Sequence, residues 1–157
     1  MLGKTKVSTL MLICLVWETA LQAQVTQIPE ISAFLPSITD VKPKEVTPLD
    51  GLWTISSLDK TVRIDRGRIY AIDGWTHLFV LKIQPGMVVN HPFKQQSLGV
   101  FVGDDLPLQG SLKAVLTGDR ILDINVDGAL GPVNYQMIPQ QLDDSDTFNQ
   151  LIKEIRQ

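Results

Sequence analysis

From Leu52 to Ile138 the apolar residues fall in short runs, several alternating with polar ones, and turn residues cut the runs apart. The cleanest run is Ile121–Val126. There Leu122, Ile124 and Val126 alternate with Asp123, Asn125 and Asp127, the period-two pattern of a half-buried strand. Leu52–Leu58 opens the series. Thr61–Asp65 and Arg68–Ile72 flank Asp65-Arg66-Gly67, which predicts a hairpin between β-branched runs. His77–Ile83 and Met87–Val89 flank Pro85-Gly86, the pair favoured at the centre of a type II turn. Leu98–Val102, Ser111–Leu116 and Val133–Ile138 complete the set, with turns expected at Gly118-Asp119 and between Asp127-Gly128 and Gly131-Pro132. The spacing predicts a mainly β domain over 49–139, an antiparallel meander of about eight strands. It closes into a barrel or a strongly curled sheet, since closure removes exposed edges.

At the C-terminal end the period changes. Phe148, Leu151, Ile152 and Ile155 stand at i, i+3, i+4 and i+7, one apolar face of a helix over 145–157. Thr147 and Gln150 have the spacing of a capping box. Asp143, Asp144 and Asp146 suit the positive end of the helix dipole, and Lys153 and Arg156 the negative end. So short a helix is marginal alone, so its apolar face is expected on the outside of its own barrel. Docking to another protein is the alternative.

Ahead of the β region, residues 24–48 hold Pro29, Pro36, Pro43 and Pro48. These remove backbone donors and fix φ, so the stretch reads as a leader on the domain surface or a tether for a partner, not a central strand. Within it Pro29–Leu35 predicts a helical turn or two, with Pro29 at the first helical position and Ile31, Phe34 and Leu35 sharing a face.

The first 23 residues carry an address. Lys4 and Lys6 precede an apolar stretch from Val7 to Trp17, and Ala20 and Ala23 are small residues suited to signal peptidase. The stretch is too short to span a bilayer as a retained anchor. Cleavage would leave roughly 130 residues, enough for one domain with its own core, and would remove Cys14, the only cysteine. Bulky Ile13 before Cys14 argues against lipidation. A disulfide-free exported chain with no glycosylation sequon points to a bacterial periplasm or exterior. The net charge of −3 and the lack of a basic run disfavour nucleic acid.

Gly51-Leu52-Trp53 at the start of the first strand resembles the opening of the calycins, the lipocalin- and avidin-like barrels that begin with Gly-x-Trp. The resemblance covers these residues and the strand count, and implies a barrel with an internal ligand cavity. Trp53 would then close the barrel floor.

Candidate chemistry is thin. No serine lies in Gly-x-Ser-x-Gly, and no motif calls for a cofactor. His77 and His91 are the only neutral-pH bases, and Asp73-Gly-Trp-Thr-His77 fixes no geometry between its carboxylate and imidazole. Asp123-Ile-Asn125-Val-Asp127-Gly128 matches the opening of a calcium loop, but position twelve is Asn134 and no helix precedes it. Strand alternation accounts for it instead, and no metal site is expected. Arg63, Arg66 and Arg68 cluster at the first hairpin, where their charges are expected outward. Among the aromatics Tyr70, Trp75, Phe79, Phe93 and Phe101, an exposed Trp75 would anchor a ligand or protein.

These observations predict an exported, non-enzymatic binding domain for a small apolar molecule or a protein partner, with Tyr70, Trp75 and His77 as its contact residues. One alternative is a cell-envelope interaction protein that docks through its leader and C-terminal helix. A hydrolase or isomerase built on His77, His91 and Asp73 is the other.

Overall fold

A computed structural model gives the fold and describes residues 29–157. The expected signal segment, 1–23, lies outside the described residues, as do the first five residues of the leader. β1 (Ile31–Ser32) is followed by β2 (Gly51–Ile55), β3 (Lys60–Asp65) and β4 (Arg68–Ala71). Two short strands, β5 (Trp75–His77) and β6 (Leu81–Ile83), precede β7 (Val88–Asn90), β8 (Lys94–Ser97) and β9 (Val100–Asp105). Next come β10 (Gly110–Leu116), β11 (Leu122–Gly128), β12 (Gly131–Leu142) and the helix α1 (Ser145–Ile155).

Eight antiparallel strands close into a barrel. The ladder runs β10-β11-β12-β2-β3-β4-β7-β9 and returns to β10 through the β9–β10 pairing. The β7–β9 seam is the short one. It is held by the Asn90–Asp105 pair, by His91 N–H to the Asp104 carbonyl at 3.1 Å, and by Asn90 Nδ2 to the same carbonyl at 2.7 Å. Inside lie Trp53, Ile55, Val62, Ile64, Ile69 and Ala71, facing Phe101, Leu112, Ala114, Leu116, Leu122, Ile124, Val126 and Met137. As expected, Leu122, Ile124 and Val126 are buried while Asn125 and Asp127 are exposed.

The sequence pattern misplaces five details. Pro29–Leu35 is not helical: Ile31 N–H donates to the Val80 carbonyl at 2.7 Å and Ala33 N–H to Lys82 at 2.9 Å, a parallel pairing of β1 with β6 that satisfies this backbone as a strand. His77–Ile83 is not one strand. It folds back at Leu78 and Phe79, both at positive φ (50° and 65°), so that β5 pairs with β6 in a small second sheet. Pro85-Gly86 does turn the chain, with Gly86 at φ 84°, yet β7 goes on to pair with β4 rather than with Ile83. The wholly exposed Lys94–Ser97 has no apolar pattern and becomes β8 by pairing with β9. Arg68 is buried, not outward: it pairs with Asp65 and donates to the Ile38 and Val41 carbonyls at 3.2 and 2.7 Å. That contact, with Val88 N–H to Pro36 and Lys44 N–H to Arg66, pins the leader to the barrel.

The helix covers the end where β2 starts and β12 finishes. Phe148, Leu151 and Ile152 are buried, and Phe148 meets the fully buried Trp53 edge-on, centroids 6.1 Å apart. Trp53 donates its indole N–H to the Leu49 carbonyl at 2.8 Å. The cap is Asp144, which accepts from Asp146 and Thr147 N–H. Gln150 reaches forward to Glu154, so the Thr147–Gln150 box does not form. Gly51 (φ 149°) has no room for a side chain, because a Cβ would collide with the Gln141 carbonyl of β12. At Gly99 (φ 67°) a Cβ would come within 2.8 Å of Ile155 on the helix.

Candidate functional site

The opposite end of the barrel is open. Here the β2–β3 turn, the β9–β10 turn and the start of β12 surround a cavity of about 300 Å³. Its apolar wall is Ile55, Leu58, Val89, Pro107, Leu108 and Val133. Its polar groups are His77 and Trp75 from β5, Asp105 from the end of β9, Tyr135 from β12, and Ser57 and Asn134 at the rim. The period of two explains the set. On β12, Val133 and Tyr135 pair with the inward Val126 and Ile124, and on β9, Asp105 follows the buried Phe101 by two inward steps. The β5–β6 excursion from the barrel brings Trp75 and His77 over the mouth.

Asp105 is the unusual group. It is 6% exposed, accepts one bond from Leu108 N–H at 3.3 Å, and has no cationic partner among the described residues. Burial pushes its carboxyl up to about 6, against the single opposing Leu108 hydrogen bond. The Tyr135 phenol is pushed up as well, mainly by burial of its oxygen and further by the Asp105 charge. Burial lowers His77, so its ring is neutral at pH 7, and its Nε2 is buried without a partner. Buried polar atoms left without a partner are uncommon, and such atoms cost stability unless something satisfies them. The mouth thus combines an apolar wall, one carboxylate, one neutral imidazole and one phenol.

Of the expected contact residues, Trp75 and His77 line this cavity, both half-buried. Tyr70 does not join them. It lies on β4 opposite Arg63 and faces the outside of the barrel. Burial raises its phenol while Arg63 opposes the shift. His91 borders a larger groove of about 680 Å³ between the leader and the β9–β10 turn, with Phe34, Asp104, Gln109 and Asp127, which shares Asp105 with the mouth. Its imidazole is lowered by burial and by Lys44 and Arg68. Asp73 accepts from Thr61 N–H at 2.8 Å and makes no hydrogen bond with His77. The hydrolase constellation of His77, His91 and Asp73 is therefore dispersed over three places. Ser57-Leu58-Asp59-Lys60 has Ser-x-x-Lys spacing, but it lies in the β2–β3 turn and the start of β3, outside any helix.

The calcium-like string lies along β11. Asp123 is engaged by Gln136 Nε2 at 2.8 Å, and no group of three or more potential ligands gathers among the described residues. Among those residues no helix is long and apolar enough to cross a membrane. No family model, curated protein or solved structure matches the chain.

Asp105 and Tyr135 were the residues that sequence reasoning missed. Alternation of Val133, Tyr135 and Met137 carried the signal for the second. For Asp105 the signal was the i, i+2, i+4 step Phe101, Gly103, Asp105, hidden because an Asp-Asp pair after a glycine reads as a solvated turn.

Proposed function

We propose that this protein is an exported, non-enzymatic binding domain that takes a small, mainly apolar molecule into the open end of its barrel, in the manner of the calycin-like barrels its Gly51-Leu52-Trp53 opening resembles. The observation that carries this reading is the mouth cavity. It is an apolar wall with a few converging polar groups and perturbed titratable residues, the usual makeup of a ligand site. Its volume of about 300 Å³ is at the small end for such sites and suits a molecule of about ten heavy atoms. The helix face and the leader are already engaged on the barrel, which favours this reading over docking through those segments. The apolar stretch after Lys4 and Lys6 supports export to the periplasm or exterior.

Titration with propylbenzene, followed on backbone amide resonances, tests the reading. Shifts at Trp75, Leu108 and Val133 with none at Trp53 or Phe148 support it, as does their loss in Val133→Trp, which fills the mouth. An absence of saturable shifts, or shifts clustered at the helix end, contradicts it.

A further inference from the structure

The mouth has an acid without a counterion. Asp105 is 6% exposed, and the residues around the cavity include no lysine or arginine. The ionisable groups that face it are His77 from β5 and Tyr135 from β12. The β2–β3 turn, β7 and the Pro107-Leu108 segment bring none. His77 Nε2 is buried without a hydrogen-bond partner, and the Tyr135 phenol stands close enough to feel the Asp105 charge. A carboxylate placed in apolar surroundings is costly unless a cation with hydrogen-bond donors meets it. An unprotonated imidazole nitrogen and a phenol oxygen can accept hydrogen bonds as well, and the Trp75 and Tyr135 rings can attract a cation over their faces. The mouth therefore sets one negative charge without a cation beside aromatic faces and groups able to accept hydrogen bonds.

We propose that the mouth is built for a small apolar primary amine, with its ammonium group on the Asp105 carboxylate and its hydrocarbon body against Ile55, Leu108 and Val133. This specifies the ligand class of the site under "Proposed function" and rests on that reading. The three N–H donors of an ammonium can meet Asp105, an unprotonated His77 Nε2 and the Tyr135 oxygen. A neutral His77 adds no repulsion. A carboxylic acid of the same shape would set a second negative charge beside Asp105 and is refused. Protonation of Asp105 near pH 6 removes the attraction, so the amine is held at neutral pH and released in acid.

Calorimetric titration of the full chain with 2-phenylethylamine, propylbenzene and phenylacetate separates the possibilities. The expected result at pH 7.5 is an affinity for the amine at least tenfold above that for propylbenzene, and none for phenylacetate. The preference should fall at least tenfold at pH 5 and vanish in Asp105→Asn. Should Asp105→Asn fail to fold, the pH series on the unaltered protein carries the test. Equal affinity for amine and propylbenzene overturns the inference and leaves the binding-domain reading standing. Failure to bind either overturns both. An amine preference that survives both Asp105→Asn and pH 5 shows that the charge is read elsewhere, and also overturns the inference.

Discussion

The two ends of the barrel are built on opposite rules. At the helix end every large group finds a partner. Trp53 is fully buried with its indole N–H satisfied, Phe148 packs edge-on against it, Arg120 lies 5.0 Å over the Phe148 ring, and Arg156 Nε donates to the Gly118 carbonyl at 2.9 Å. At the mouth the inventory is incomplete: a carboxylate without a cation, an imidazole nitrogen without a partner, and a turn formed by Leu78 and Phe79 in the left-handed region. Side chains with a Cβ avoid that region at a cost of roughly 1–2 kcal/mol per residue. One end is arranged for stability alone. The other holds groups that weaken the fold, the usual trade between a stable scaffold and the working site proposed for this mouth.

Four variants would break or sharpen this contrast, the largest effect at the closed end. Phe148→Ala should cost about 3–5 kcal/mol in urea unfolding, because it removes the Trp53 contact and leaves a void under the helix. A loss below 1 kcal/mol would mean that the helix only decorates the barrel.

At the mouth the sign should reverse. Asp105 titrates near 6 in the fold against an ordinary 3.8, so the folded chain holds this proton more tightly than the unfolded one. Its contribution is full below about pH 4 and is lost as pH rises through about 6. Asp105→Asn should therefore stabilise the protein by about 3 kcal/mol at pH 7.5 and by little at pH 4. Unfolding curves at the two pH values check this, and destabilisation at pH 7.5 would show that the carboxylate is paired.

Two smaller effects follow. Leu78→Asn with Phe79→Gly places residues that accept positive φ in the β5–β6 turn, and should add about 1–2 kcal/mol. A loss of stability instead would mean that the exposed Leu78 and Phe79 side chains contribute packing. Asp144→Ala removes the helix N-cap and should lower Tm by a few degrees, without moving any mouth resonance.

Much of the closed end could be read from sequence, and little of the open end. The helix face Phe148-Leu151-Ile152 and the strand Leu122-Ile124-Val126 obey periods of 3.6 and 2 and are buried as those periods require. Gly51-Leu52-Trp53 marked the floor because a close backbone approach and a buried indole leave a fixed spacing. The mouth breaks local rules. Leu78-Phe79 carries none of the residues that announce a turn, so β5 and β6 read as one strand. Arg68 looked like a solvated charge because the carbonyls it meets, Ile38 and Val41, come from a proline-rich segment thirty and twenty-seven residues earlier. Trp75 and His77 could be singled out by residue type. That Asp105 and Tyr135 stand with them depends on barrel closure, which no short stretch of sequence encodes.

The most direct test of the contrast is fluorine NMR on protein labelled with 5-fluorotryptophan and titrated with 2-phenylethylamine at pH 7.5. The Trp75 resonance, at the mouth, should move in a saturable way, while that of Trp53, sealed under the helix, should stay in place. Movement of Trp53 with Trp75 unmoved, or saturation with neither moving, would contradict the division of the barrel into a closed floor and a working mouth.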